Sequence, residues 1–306
     1  MSHLNRDSKK KSISLVLGSG GARGLAHIGV IRTLEQQGYH IASVAGCSMG
    51  ALVGGIYAAG KLDEFEQWVL SVDKLDMVNL LDIAWGADGL VKGDKIIAAL
   101  MAMVGDVAIE SLPIKYTAVA ADISHEKEVW MNSGSLFEAI RASISLPMFF
   151  TPVKHKNSFL VDGGVLNPVP IAPTFNDQTD AIFAVNLGGA FQALEKVHEP
   201  QAIEVADDSI HTQIVGFINR LAGTNLSLGE TPEPKEQKLA FYDVANQAFD
   251  SMQSTIARQK LAAYPPDHVI ELPRNACGTL EFHRAAEMIA LGEKKTQQCL
   301  AQMIQR

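Results

Sequence analysis

One short stretch constrains this chain more than any other. Gly46-Cys47-Ser48-Met49-Gly50 stands between an extended apolar run, Ile41-Ala-Ser-Val-Ala45, and a helix-like run, Ala51-Leu-Val-Gly-Gly-Ile-Tyr-Ala-Ala59. A G-x-S-x-G pattern in the order strand, sharp turn, helix is the setting of a nucleophile elbow, which lifts a serine hydroxyl at the end of a buried strand. Glycines at both flanks remove Cβ atoms that would obstruct the turn, and the helix N-terminus below it carries a positive dipole end. Ser48 is therefore the candidate nucleophile, supported by Gly46 and Gly50, and the Met49 N–H is a candidate donor to a developing oxyanion.

The same region raises a membrane question, because residues 41–60 carry no charged side chain and include Gly50-x-x-x-Gly54. Its richness in Gly, Ala and Ser, and the turn bracketed by Gly46 and Gly50, read instead as a buried strand and helix. Near the N-terminus, polar residues 1–11 end in Lys9-Lys10-Lys11, and the apolar run Ile13–Leu17 is too short for the core of an export signal. Residues 1–11 are read as a flexible tail. The expected location is cytoplasmic, at most peripheral to a membrane.

Upstream of the elbow, the β-like run Ile13–Leu17 leads directly into Gly18-Ser-Gly-Gly-Ala-Arg-Gly24. Apolar residues then recur at Leu25, Ile28, Ile31 and Leu34, a helical stripe, and Gly38 is placed to end that helix. Strand, glycine loop, helix and second strand form a βαβ unit. A dinucleotide site fails two checks: the sixth position of G-x-G-x-x-G is Arg23, and no acid follows the second strand where a ribose would need one. An oxyanion hole passes, since the N–H groups around Gly20, Gly21 and Ala22 can converge on an alkoxide, and adjacent parallel strands bring their loops together. Arg23 is read as orienting the loop rather than meeting an anionic head group. His27, one turn later, is read as a packing or hydrogen-bonding residue.

A third chemical element is Phe159-Leu-Val-Asp162-Gly163-Gly164, a short strand ending in an acid and two glycines. At a strand end, Asp162 can approach another loop and serve as general base to Ser48. Between elbow and acid the chain reads as helix over 62–75 and 95–104, strands over 115–123 and 128–131, and helix over 135–143. Ile96, Ile97, Leu100, Met101 and Met103 read as core packing in preference to a lipid-contacting face. Met148, Phe149 and Phe150, between Pro147 and Pro152, either line an acyl pocket or pack beneath the site.

Composition narrows the function classes. With 47% hydrophobic and 20% charged residues over 306 positions the chain can build a large core, and a net charge of −8 argues against nucleic-acid binding. Cys47, Cys277 and Cys299 lack metal-ligand spacing, and no acidic calcium loop is present, so neither metal nor cofactor is expected.

Taken together, these residues resemble the patatin-like phospholipase family, in particular its bacterial members related to neuropathy target esterase. The matching motifs are Gly20-Gly21-Ala22-Arg23-Gly24 with Leu25-Ala-His-Ile-Gly29, Gly46-Cys-Ser-Met-Gly50, Ala142-Ser143-Ile-Ser-Leu-Pro147, and Asp162-Gly163-Gly164 with Asn167 and Pro168. The resemblance implies a three-layer α/β/α fold with a mainly parallel sheet. It also implies acyl-ester hydrolysis by a Ser48/Asp162 dyad, with an oxyanion hole around Gly20 to Ala22. Ser19 stands where many relatives have glycine.

The expected substrate is a lipid ester, a phospholipid or lysophospholipid, met through transient contact with a membrane or micelle surface; oligomeric state is left open. One rival is a Ser, Asp, His triad using His198, His211, His268 or His283, none of which lies in a motif. The other is a lipid-binding or regulatory protein with a vestigial site. Past residue 170 the expectation is a strand at 180–189, helices at 203–221, 238–263 and 282–305, a strand at 268–272 and, at 224–236, a passive surface linker in preference to a mobile loop over the site. All of 12–306 is read as a single domain.

Overall fold

The protein is described from a computed structural model covering residues 11–72, 93–192 and 241–305. Its chain divides into a unit of residues 1–192 with 248–306, which holds every described strand, and a unit of residues 193–247. Residues 1–10 of the expected tail, the expected helix at 203–221 and the expected loop at 224–236 lie outside the described residues, while Lys11, assigned to that tail, instead pairs with Tyr39 as the first residue of the first strand.

An eight-stranded sheet organises the first unit. β1 (Lys11–Leu17) lies between β2 (Tyr39–Cys47) and β7 (Ala181–Gly189), β2 is followed outward by β3 (Lys115–Asp122), and β7 by β8 (His268–Pro273). All four of these pairings are parallel. Parallel strands are covered on both faces, which is why β1 and β2 read as near-continuous apolar runs. Three short strands extend the sheet in antiparallel fashion: β4 (Lys127–Met131) and β6 (Ser158–Asp162) pair with β3, and β5 (Val153–His155) with β6.

Strand alternation separates two cores. Ile13, Leu15 and Leu17 of β1, with Phe183 and Val185 of β7, join the larger core with α1 (Ala26–Gln36), α2 (Met49–Ala58) and α7 (Ala285–Ile304). Val16 and Ala184 point the other way and meet Ala257 and Leu261 of α6 (Phe241–Ala263). A sheet with helices on both faces is the three-layer α/β/α architecture expected. The apolar segment at 41–60 divides as predicted, into β2, the elbow and α2, with all ten α2 residues buried. No helix among the described residues is long and apolar enough to cross a membrane.

The remaining helices follow the sequence closely. α3 (Leu62–Ser71) ends earlier than the pattern suggests, and α4 (Asp94–Val104) and α5 (Leu136–Ser143) lie where expected. Ser135 caps α5 by accepting the Glu138 N–H. The stripe after the glycine loop starts not as α-helix but as a tighter 3₁₀ turn, Gly21–Leu25. Gly38, at φ 83, lies just beyond α1, and its N–H reaches the Glu35 carbonyl.

Register places the site. β2 occupies the first part of one edge of β3, ending with Cys47 opposite Val119, while β6 occupies the rest, with Asp162 opposite Ala120. Because β4 takes the other edge over the same residues, β2 and β6 meet end to end along one edge. Ser48 is where the first strand leaves that edge, and Asp162 is where the second ends on it.

Candidate active site

At the elbow the strain falls on the serine itself. Ser48 has φ 55 and ψ −125, a conformation that non-glycine residues rarely adopt, and it is the N-cap of α2. The flanking glycines serve a different purpose from turning the chain: they admit neighbouring backbone. A Cβ on Gly50 would lie 2.0 Å from the Leu17 carbonyl oxygen, and one on Gly46 would lie 2.4 Å from the Gly50 carbonyl oxygen. Strand β1 and helix α2 thereby close in beneath Ser48, whose residue is 7% exposed.

Asp162 is 1% exposed. Its Oδ1 accepts the Gly164 N–H at 2.7 Å, capping a 3₁₀ turn over Gly163–Val165, and receives the Cys47 thiol at 3.9 Å. Its Oδ2 is left without a partner of good geometry, and the Ser48 hydroxyl lies close enough to favour the charged carboxylate. Burial outweighs these contacts, so the carboxyl is pushed up to about 6. Burial, with the nearby Asp162 and Glu128 charges, keeps Cys47 a protonated thiol.

The groups beside the Asp162 side chain are a hydroxyl, an amide and a thiol, with no imidazole among the described residues. His268 is the first residue of β8, at the end of that parallel strand remote from the elbow, and its ring packs on Phe183. His283 sits in the turn preceding α7. His198 and His211 lie outside the described residues.

The glycine loop stands beside the elbow. A Cβ on Gly24 would lie 2.3 Å from that of Met49. The N–H groups of Gly20, Gly21 and Met49 have no backbone acceptor among the described residues, as befits the first positions of the 3₁₀ turn and of α2. Ala22 differs: its N–H donates to the Thr279 carbonyl at 2.8 Å and is occupied in this conformation. Arg23 is nearly buried and turned inward, donating to the carbonyls of Gly20 (3.1 Å) and Arg274 (2.6 Å) and pairing with Asp250 (3.0 Å). His27, fully buried, is lowered to about 4 by burial and stays neutral, its Nε2–H donating to the Gly18 carbonyl at 2.9 Å.

Ser48 opens into an apolar cavity of about 90 Å³. Its lining includes Met49, Leu52, Phe65, Trp68, Leu100, Ile144, Phe149 and Phe150, with Thr279, Leu280 and Phe282 from the far end of the chain. Phe149 and Phe150 therefore line a pocket, whereas Met148 is 57% exposed. Leu100 of α4 belongs to the core and Ile96 packs on it, as expected for that helix, and both also line the cavity. Thr279 and Leu280 carried no signal in the sequence, since only tertiary closure brings them here. No cluster of acidic, histidine or cysteine side chains suited to a metal occurs among the described residues.

Comparison with known proteins finds a matching family and several relatives. A family model described as patatin-like phospholipase matches residues 15–175. The chain is 38% identical to an uncharacterized NTE family protein of Mycobacterium tuberculosis, over 96% of this chain and 93% of that protein. It is 30% identical to lysophospholipase NTE1 of Pyricularia oryzae over 93% of this chain, which amounts to 18% of that longer protein. Among solved structures, VipD from Legionella pneumophila matches with a TM-score of 0.46 at 15% identity, over 96% of this chain and 67% of that one.

Proposed function

The chain belongs to the patatin-like phospholipase family, and on that premise we propose that it is a serine acyl hydrolase cleaving carboxylic esters of phospholipids or lysophospholipids. One observation carries the reading: a strained serine at a strand end faces a buried carboxylate at the mouth of an apolar cavity.

In this reading Asp162 accepts the Ser48 proton as Oγ attacks the acyl carbonyl. A carboxyl near pKa 6 is better suited to that task than an ordinary one, yet is still largely ionised at neutral pH. The tetrahedral oxyanion forms beside the N–H groups of Gly20, Gly21 and Met49, held by preorganised donors in a dry site. The Ala22 N–H joins them only if it leaves Thr279. Collapse passes the proton from Asp162 to the departing lipid alcohol. Water, deprotonated by the same carboxylate, then attacks the acyl-enzyme and releases the fatty acid. The acyl chain occupies the apolar cavity, while exposed Met148 and Leu280 offer transient contact with a lipid surface.

Reaction with a fluorophosphonate probe, followed by fatty-acid release from phospholipid and lysophospholipid vesicles, tests the assignment. Wild type should label and hydrolyse, whereas Ser48→Ala should do neither. A folded wild type that is inert in both assays would sink the hydrolase reading and favour a lipid-binding protein with a vestigial site.

A further inference from the structure

The Ala142-Ser143-Ile144-Ser145-Leu146-Pro147 run takes no part in the chemistry described above, yet it touches both reacting residues. Beyond Cys47, β2 turns away from β3, so the Ser48 N–H and the Val119 carbonyl can no longer be joined by a continuing β ladder. Both lie in the interior, where an unpaired backbone group is costly. The Ser143 hydroxyl stands between them, accepting from the Ser48 N–H at 2.9 Å and donating to the Val119 carbonyl at 2.6 Å. It is fully buried at the C-terminal end of α5. Two residues later, the Ser145 carbonyl accepts the Asp162 N–H at 2.8 Å.

One three-residue segment thus binds the backbone of the candidate nucleophile through a side chain and that of the candidate base through a carbonyl. We propose that Ser143 is a positioning residue: its hydroxyl replaces the missing rung between β2 and β3, holds Ser48 at its positive φ, and so fixes the serine hydroxyl relative to Asp162. The inference rests on the reading of Ser48 as nucleophile. Ser143 itself touches neither substrate nor the reacting oxygen. Its loss should act on the chemical step and not on binding, because the cavity that would receive the acyl chain is lined by other side chains.

The test measures kcat and KM of Ser143→Ala and Ser143→Thr with a soluble short-chain p-nitrophenyl ester, together with the rate of fluorophosphonate labelling and the melting temperature. Thr296→Ala serves as comparator, because Thr296 is a fully buried hydroxyl bonded to a carbonyl of its own helix. Displacing a reacting group by ~1 Å can cost about 10²-fold, so Ser143→Ala should lower kcat and labelling rate by roughly 10- to 100-fold. KM should stay within about twofold, since uniform binding is untouched. Ser143→Thr, which keeps the hydroxyl, should recover most of the rate. Should Ser143→Ala not fold, Ser143→Cys keeps the volume with a weaker donor and should show the same split. A kcat loss no larger than that of Thr296→Ala, or a change confined to KM, overturns the proposal while leaving the hydrolase reading intact. A folded wild type that neither labels nor hydrolyses overturns both.

Discussion

Cys47 and Asp162 oppose consecutive residues of β3, Val119 and Ala120, so two strands arriving from opposite directions end within one rung of each other. Their side chains touch at that junction, Sγ to Oδ1 at 3.9 Å. The proximity of Ser48 to Asp162 is therefore a property of the sheet, held with the rigidity of a buried ladder.

The first prediction concerns pH and activity. If Asp162 is the base, it must be ionised to work, and burial has pushed it up to about 6. The ratio kcat/KM for a soluble ester should therefore rise with pH through about 6 and then level. It should show no dependence on an imidazole. A profile from about pH 4.5 to 8.5 checks this, because kcat/KM reports ionisations of the free enzyme. A midpoint near that of an ordinary carboxylate, about 4, would mean that the base is not this buried group.

The same shift predicts a trade of stability against function. Asp162 holds its proton more tightly folded, at about 6, than unfolded, at the ordinary 3.8. Its contribution to stability is thus fully present below the unfolded value and is lost as pH rises through the folded one. Two pKa units correspond to roughly 3 kcal/mol for a fully buried group, as an order of magnitude. Asp162→Asn should therefore melt higher than wild type at about pH 8, lose that advantage at about pH 4, and turn over roughly 10³-fold more slowly or worse. Melting curves at the two pH values, with initial rates, test all three parts.

Gly24 and Met49 join the glycine turn to the elbow where the Gly24 backbone meets the Met49 Cβ, a contact that leaves no room for a methyl group. Gly24→Ala should destabilise the fold by about 1–3 kcal/mol, the usual cost of overpacking, and lower kcat by moving the loop amides away from Ser48. Met49→Ala should not relieve the clash, since the Cβ it meets remains, whereas Met49→Gly should. Melting temperatures of the single and double variants decide the point.

The cavity predicts selectivity by acyl length. Ile96 of α4 lines it without being part of the catalytic residues. Ile96→Trp should fill space there and depress kcat/KM for long-chain esters, leaving short-chain esters close to wild type. A chain-length series of p-nitrophenyl esters measures the ratio. Equal effects at every length would show that the acyl group lies elsewhere.

Much of this arrangement was legible because local pattern and tertiary role coincide. The uncharged run at 41–60, punctuated by glycine and serine, could only bury itself, and it forms β2, the elbow and α2. Glycine and Asp-Gly-Gly at strand ends announced the loop and the acid. Strand β5 escaped because three residues, Val153–His155, are too few for alternation to declare itself. The 3₁₀ start of the first helix escaped because helical spacing over one turn does not distinguish i+3 from i+4 bonding. Gly29 was visible in a motif, but its need for glycine comes from α7: a Cβ there would lie 2.1 Å from the Ile289 carbonyl. Ser143 stood in plain view within a motif, and only the register of β2 against β3 gives its hydroxyl two partners.

Arg23 tests whether the loop's one guanidinium recognises substrate or holds structure. All its hydrogen bonds are inward: to the Gly20 carbonyl, to the Arg274 carbonyl and to Asp250, with the side chain 5% exposed. A planar fork reaching three differently placed acceptors is a geometry that lysine cannot reproduce. Arg23→Lys should therefore release Gly20, blur the aim of the adjacent N–H groups and lower kcat by about 10-fold or more, a fraction of the roughly 10²- to 10³-fold that outright loss of an oxyanion donor costs. Asp250, whose side chain is 34% exposed, can be rehydrated, so the stability loss should be smaller than for a sealed ion pair. The discriminating measurement is relative hydrolysis of anionic and zwitterionic lysophospholipids. If Arg23 is structural, Arg23→Lys slows both in proportion and their ratio stays fixed. A selective loss on the anionic lipid would instead give Arg23 a place in head-group recognition, which would require it to leave Gly20 and face the substrate.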